Sequence, residues 1–389
     1  MTQRVPGPFY DYSPAQWAQV RQTHRRFCET KDLGRPLFLP SYFNRLLFGK
    51  VEDPPEDAIV LPGPRKRHPE MDKAIRYLIA HAGALGNAKR PHDRFPCLFI
   101  DRKHYGHSQR LAEPFGTQTL IEGHHAQAMP VIASLADVAH LRLKPLKECR
   151  YLKRSLEVLR YYYESTAGRY YIPHMVTTGA CDTVNYATGS TLLLEGFYTN
   201  PKAVHQLLRM ATEIIIEHIR ACKAIAGDRL ISDHTQLLDG CYCICSELRS
   251  QFSPEHFAEF EAPYLKQIGD AIGPLHIHVS GPIEHSIPAT LRDANIRHVK
   301  FWLRDSDLAK VVALAGDRLS MAFFENTCMP ALAFPDKKAY YLHIFERIRP
   351  ETRWVIAEYE PEGWNQAYDA MERDGRLPEQ ILRVGRMPG

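Results

Sequence analysis

Short apolar runs alternate with longer amphipathic segments along this chain, and the spacing inside each segment separates helices from strands. After Asn200-Pro201, the residues Val204, Leu207, Leu208, Ala211, Ile214, Ile215 and Ile219 fall on one stripe of a 3.6-residue period. That stripe predicts a helix ending near Gly227. Ser253-Pro254-Glu255 opens another helix, with Phe257, Phe260, Tyr264 and Ile268 on its buried face and Pro263 placed to kink or restart it. Ser13-Pro14-Ala15-Gln16 supplies an N-cap, a proline at the first helical position and a capping-box glutamine, for a helix toward Thr30. A further helix is expected over about 72–81. Residues 51–70, with five prolines, read as a surface loop.

Compact apolar runs at 37–39, 97–101, 242–246, 275–280, 298–302, 320–324 and 354–358 read as buried strands. They alternate with the helices and show no hairpin turn pairs, which argues for parallel βαβ units. About eight such units suit an α/β fold of the (β/α)8 TIM-barrel kind. The expectation is a single domain over 1–389, with 1–35 as an N-terminal helical extension. No G-x-G-x-x-G follows a strand and no phosphate-binding loop motif is present, so a nucleotide-binding open sheet loses support.

Composition narrows the function classes. Hydrophobic residues at 44% and charged residues at 24% are ordinary globular values. A net charge of +4 on 389 residues gives no reason to expect nucleic acid or an anionic membrane surface as a partner. No apolar run is long enough to span a bilayer, and the first residues lack the apolar centre of a signal peptide. Nine cysteines without a regular framework point to a reducing cytoplasm. Nineteen histidines raise the prospect of metal or acid–base chemistry.

In a barrel the chemistry sits where the strands end. Alternation along Leu275-His-Ile-His-Val-Ser280 puts His276, His278 and Ser280 on one face and the apolar residues on the other. Two inward histidines suit a metal or an acid–base pair; the bland alternative is a hydrogen-bonded core histidine. Cys241, Cys243 and Cys245 share a strand face, but their spacing of about 6.5–7 Å is too wide for all three to hold one ion, so packing is the better reading. Cys245 lies at the strand end, and Glu247 follows it. Asp101, Glu325 and Glu358 each terminate an apolar run, where a carboxylate is costly unless paired or functional. His234, beside Asp233, is a further candidate, and Tyr186 offers a phenol donor. His124-His125 reads as a polar turn. No nucleophile elbow is present.

Three passages resemble the uroporphyrinogen decarboxylase-like superfamily, which includes methyltransferases that move methyl groups between corrinoid proteins and thiols. They are FGTQTLIEGHHAQAMPVIASLADVAHLRLKPL, TGACDTVNYATGSTLLLEGFYTNPKAVHQLLRMATEIIIEH and FSPEHFAEFEAPYLKQIGDAIGPLHIHVSG, together spanning roughly 110–285. The resemblance implies a (β/α)8 barrel and a small-molecule substrate, with a corrinoid protein as a candidate partner. In the corrinoid-linked enzymes the corresponding strand carries His-x-Cys, both zinc ligands, with another cysteine near the last strand. Here His278 keeps the histidine, Ser280 replaces the cysteine, and Ala357-Glu358-Tyr359-Glu360 contains none. The implied ligand set is therefore altered: His278, with His276 as a further candidate, and Glu358 or Cys245, holding zinc or another divalent transition metal. The decarboxylase branch uses paired arginines to clamp substrate carboxylates, and the matching stretch offers Arg45 alone. Tyr186 falls near a tyrosine that such decarboxylases use.

The sequence therefore points first to a metal-assisted methyl (one-carbon) transferase. Its site would combine Glu247, His276 and Tyr186 as catalytic groups with Asp101, His234, Ser280 and Glu325 as substrate contacts. A metal-free decarboxylase or lyase, and a protein that only binds a corrinoid or a methylated amine, are the alternatives.

Overall fold

The structure, a computed structural model, describes residues 13–31, 33–39, 61, 67–86, 93, 95, 97, 98, 100, 108–122, 125–175, 177–231, 240–293, 295–324, 334–356 and 360–387. Asp101, His234, Glu325, Glu358, Arg45 and His124 lie outside these residues.

Helix α1 (Pro14–Arg25) begins with the expected capping box. The Ser13 N–H donates to Gln16 Oε1 at 2.8 Å and the Gln16 N–H donates to Ser13 Oγ at 3.2 Å, satisfying two donors that the helix start leaves open. A π turn over Arg26–Thr30 follows, then strand β1 (Leu37–Phe38). Helix α2 (Pro69–Gly86) is longer than the sequence suggests and starts inside the stretch read as loop. Pro69 fits a first helical turn, where no N–H is needed, and Arg67 Nε meets Asp72 Oδ2 at 3.0 Å across that turn.

Strands β2 (Gln118–Glu122) and β3 (His125–Met129) form an antiparallel pair, with Glu122 opposite His125. This hairpin corrects the expectation of a chain without one. His125 therefore opens a strand and does not belong to a polar turn.

Helix α3 (Arg150–Ser165), the short strands β4 (Ile172–Pro173) and β5 (Thr177–Thr178), and helices α4 (Ala180–Thr188), α5 (Ser190–Thr199) and α6 (Pro201–Ala226) come next. Asn200 caps α6 through its side chain, and all seven residues of the predicted stripe are buried. After β6 (Leu230–Ile231) and β7 (Tyr242–Cys245), the chain enters a helical turn at Pro254–His256, widens into a π turn over Phe257–Glu261, and resumes as α7 (Ala262–Ile272). Pro263 sits in the first turn of α7, so the proline restarts the helix where its missing N–H costs nothing. Strand β8 (Leu275–Val279), helix α8 (Ile287–Asp293), β9 (Ile296–Trp302), α9 (Leu308–Ala315), β10 (Ser320–Phe324), α10 (Lys337–Phe345), β11 (Arg353–Ile356), α11 (Pro361–Arg373) and α12 (Glu379–Val384) complete the alternation.

Seven strands form one sheet in the order β1-β11-β10-β9-β8-β7-β5, parallel throughout. Parallel neighbours need crossovers, and the helices between the strands provide them. β4 pairs with β6 in parallel, and Cys97 forms a parallel bridge to Tyr171. The fold is therefore α/β. Among the described residues no pairing joins β1 to the Cys97 segment.

Register fixes the two faces of the sheet. Thr178, Cys245, His278, Lys300, Ala322, Val355 and Leu37 stand in one row across seven strands. Ile277, Val299, Met321 and Trp354 stand on the opposite face and join the large core under the helices. Leu37, Ala322 and Val355 instead pack with Phe27 and Cys28 from the N-terminal extension. Arg353, at the start of β11, donates from Nη1 to the Phe27 carbonyl at 3.0 Å. The extension therefore covers the end of the sheet where the strands begin, and burying Phe27 there contributes about 1.5–3 kcal/mol. Among the described residues no helix is long and apolar enough to cross a membrane.

Candidate functional site

Strands β7 and β8 lie side by side with Cys245 opposite His278. Just past Cys245, the Ser246 N–H donates to the His278 carbonyl at 2.9 Å, and the chain then turns away at Glu247. That turn aims the Glu247 carboxyl back across the strand ends. Oε2 accepts the Ser280 N–H at 2.6 Å, while Oε1 lies 3.5 Å from His278 Nε2. Burial pushes the Glu247 carboxyl up from its ordinary pKa, and the Ser280 N–H opposes that shift. His278 is 9% exposed, so the pair sits in a recess with one edge open.

The turn is held from behind by a buried polar cluster. The Leu248 N–H donates to Asp182 Oδ1 at 3.1 Å, from the first turn of α4. The Ser246 hydroxyl donates to Glu261 Oε1 at 2.8 Å. Gly179 faces that same oxygen so closely that an added Cβ would lie 2.7 Å from it. Burial raises the pKa of both Asp182 and Glu261, and for Asp182 the neighbouring Glu261 and Glu247 add to the rise. Arg249, 1% exposed, is a cation that bears on this acid group: burial lowers its pKa to about 10, and Glu261 and Asp182 work against that fall. Its Nη2 donates to Ser286 Oγ at 2.7 Å and to Thr290 Oγ1 at 2.8 Å, and its guanidinium lies 4.5 Å over the Phe257 ring.

The site residues expected from the sequence fall into three groups. Glu247, His278 and Ser280 are brought together as described, with Cys245 buried beside His278 in register. His276 lies one layer deeper, 1% exposed, its ring edge-on to His298 with centroids 4.6 Å apart. Burial, then the charges of His298 and Lys300, hold its pKa well below the usual histidine value, so it is a neutral interior imidazole. Tyr186 is half-buried on α4 and packs against the main core. Asp101, His234, Glu325 and Glu358 fall outside the described residues. Cys241 and Cys243 are buried with Cys245, and the Cys243 N–H donates to His174 Nε2 at 3.1 Å. That contact, with His174 Nδ1 bonded to the Met175 carbonyl at 2.7 Å, requires neutral His174 protonated on Nδ1.

Among the described residues no three His, Cys, Asp or Glu side chains converge on a point where a metal ion would be held. His278 Nε2 and Glu247 Oε1 are two donors of suitable kind, but one Glu247 oxygen is already taken by the Ser280 N–H. The described donor set does not complete a zinc shell, which needs three or four protein ligands. What it does provide is an acid–base pair: a carboxylate of raised basicity beside an imidazole.

The sequence reading passed over Lys300, Asp182, Glu261 and Arg249. Lys300 stands opposite His278 in register and shares its face. The signal was available, because His298 and Lys300 alternate on β9 just as His276 and His278 alternate on β8. The other three are charged residues on helices and a turn, where a solvated position is the ordinary reading.

No curated protein matches the sequence. A solved methyltransferase from Methanosarcina mazei superposes with a TM-score of 0.55 at 13% identity, over 92% of this chain and 99% of that one. At that identity the likeness establishes a shared fold. The family model for uroporphyrinogen decarboxylase (URO-D) matches residues 112–318, the stretch that carries Asp182, Glu247, Glu261, His278 and Ser280. That match covers more than half of the 389 residues, and the chain belongs to the uroporphyrinogen decarboxylase family.

Proposed function

We propose that this chain is a (β/α)8-barrel enzyme that transfers a methyl or similar one-carbon group to a small acceptor. The observation that carries the reading is the contact of Glu247 Oε1 with His278 Nε2 at 3.5 Å, on the ends of two adjacent parallel strands. An acceptor bearing an X–H bond, where X is sulfur or nitrogen, would bind over these strand ends. Glu247, half-buried and for that reason more basic than an ordinary carboxylate, takes the proton. His278 stabilises the pair as charge develops. The methyl group then passes from its donor to the lone pair on X, the donor leaves with the electron pair of the bond that breaks, and the proton stays with the pair until product leaves. A shared fold with a methyltransferase supports the reading. A methyl-corrinoid is one donor class that suits it.

The test is turnover of methylcobalamin, followed by its visible absorbance, against a panel of thiols and amines. The expected result is acceptor-dependent loss of the methyl–cobalt band that disappears in Glu247→Gln and in His278→Gln. Equal turnover in both variants would overturn the reading.

A second reading, decarboxylation of a small carboxylic acid, is favoured by one feature. Lys300 stands beside His278 on the same face and offers a cation for a substrate carboxylate. Release of carbon dioxide from carboxylate substrates, abolished in Lys300→Met, with no response to methyl donors, would favour it over the first.

A further inference from the structure

Arg110 sits on a 3-10 turn (Ser108–Phe115), and it is 9% exposed. Its Nε is buried without a hydrogen-bond partner, and among the described residues its guanidinium makes no ion pair. It lies 4.1 Å over the ring of Tyr151. The nearby carboxylate of Glu113 is committed elsewhere: its oxygens accept the N–H groups of Arg150 at 2.7 Å, Tyr151 at 2.9 Å and Leu152 at 3.4 Å. Glu113 therefore caps the start of α3, which leaves that helix end no further donors to offer. A guanidinium stays charged in a protein, so removing it from water without a hydrogen-bonded counter-charge is costly. Burial accordingly pulls the Arg110 pKa down.

Arg110 forms one wall of a cavity of about 550 Å³. Lys147, Arg150, Lys153 and Arg154 line it too, against two carboxylates, Glu148 and Glu157. Glu157 lies 4.0 Å from Arg154, a loose pairing. Five cations against two anions leave a surplus of three positive charges facing one recess. The uncharged lining is Tyr151 alone, already covered by Arg110, so there is no apolar wall for a hydrophobic ligand. Guanidinium forks and ammonium groups together match the oxygens of a phosphate.

We propose that this recess is a binding site for a compact, multiply charged oxyanion of the phosphate-ester or diphosphate class. Arg110 is its fixed donor, held in place by stacking on Tyr151. The lysines and Arg154 supply counter-charge at the rim. The site is built from side chains of that 3-10 turn, of a second one at Leu146–Glu148 and of α3, and it shares no lining residue with the Glu247–His278 pair.

The test is isothermal titration of the full chain with inorganic pyrophosphate at fixed ionic strength, beside Arg110→Met and Lys153→Ala/Arg154→Ala. The expected result is one pyrophosphate per chain, weakened at least about tenfold in each variant and weakened in the wild type as salt rises. The double variant changes partly or fully exposed side chains, so it decides the matter even where Arg110→Met fails to fold. Absence of binding at millimolar pyrophosphate overturns the proposal. So does binding that the double variant leaves unchanged, or binding to an oligonucleotide or anionic vesicles in preference to pyrophosphate.

Discussion

Asp182 Oδ1 accepts the N–H of Leu248 at 3.1 Å, so a carboxyl at the start of α4 fixes the turn that presents Glu247. Asp182 is 4% exposed, and burial together with Glu261 and Glu247 raises its pKa. What the turn needs from position 182 is an acceptor, and a neutral one serves. Asp182→Asn should therefore keep the folded stability to within about 1 kcal/mol. Asp182→Leu, which strands the Leu248 N–H in the interior, should cost about 1–3 kcal/mol. Urea denaturation of the two variants checks this. Equal losses in both would mean that shape, and not the hydrogen bond, sets the requirement.

Removing the charge of Glu247 while keeping its shape separates chemistry from architecture. In Glu247→Gln the amide oxygen can still accept the Ser280 N–H, so thermal stability should change little. As the general base it would lose about 10²- to 10⁴-fold in kcat, with KM nearly constant. A steady-state comparison on any substrate found by the methyl-donor screen makes the measurement. A rise in KM at unchanged kcat would assign Glu247 to binding alone.

Ser280 stands where the resemblance to the corrinoid-linked enzymes implies the zinc-binding cysteine of a His-x-Cys pair, and its backbone already faces Glu247. Ser280→Cys adds a thiol two residues from His278 on the same strand face. Thiolate and imidazole are the donors zinc prefers. The variant should purify with more zinc per chain than the wild type, and His278→Ala in that background should release it. Inductively coupled plasma mass spectrometry reads both. No gain in zinc would show that the strand ends are not spaced for a metal, whatever residue occupies position 280.

The parts of this molecule legible in the sequence are those written as local periodicity. The α6 stripe, the Ser13–Gln16 box and the alternation of His276 and His278 each depend on residues a few positions apart, and each appears as read. The pairing of Glu247 with His278 spans 31 positions and follows only from the register of β7 on β8. Sequence supplied both residues as candidates without supplying their contact. The acid cluster was less accessible still. Glu261 lies four residues after Phe257 and three before Tyr264, so the 3.6-residue count puts it on the buried stripe, but a carboxylate there reads as solvated until its buried partners are known. The hairpin of β2 and β3 was not legible because Gln118–Glu122 and His125–Met129 mix polar and apolar residues without a compact apolar run, although a turn was expected at the histidine pair.

Arg249 balances two buried acids that have little else of opposite charge around them. Replacing it with leucine removes the hydrogen bonds to Ser286 and Thr290 and leaves Glu261 and Asp182 beside an apolar group. The expected loss is about 3–5 kcal/mol, the range for breaking a buried charged arrangement from one side. Adding Glu261→Gln to Arg249→Leu should recover part of it, because the amide keeps the Ser246 contact without the charge. A double-mutant cycle by urea denaturation gives the coupling. Strict additivity of the two substitutions would sink the idea that they form one electrostatic unit.

Acid sensitivity should originate away from the site, in histidines that the fold keeps neutral. His218 on α6 is fully buried and lies against Cys222 Sγ at 3.7 Å. Burial, helped by the neighbouring imidazole of His174, lowers its pKa to about 4. In the unfolded chain it takes a proton near pH 6.5. Between about pH 6.5 and 4 the unfolded state therefore binds more protons, so stability from this residue is complete above that window and is lost as pH falls through it. Asp182 and Glu261, whose pKa values are raised, act with the opposite sign on acidification, so the wild-type profile mixes the two effects. His218→Leu separates them. Relative to the wild type, the variant should gain about 2 kcal/mol on going from pH 7.5 to pH 5, whatever its stability at the higher pH. Urea unfolding at the two pH values measures that difference directly. A gap between the two proteins that stays constant with pH would show that His218 is protonated in the folded chain, or that it exchanges its proton without cost.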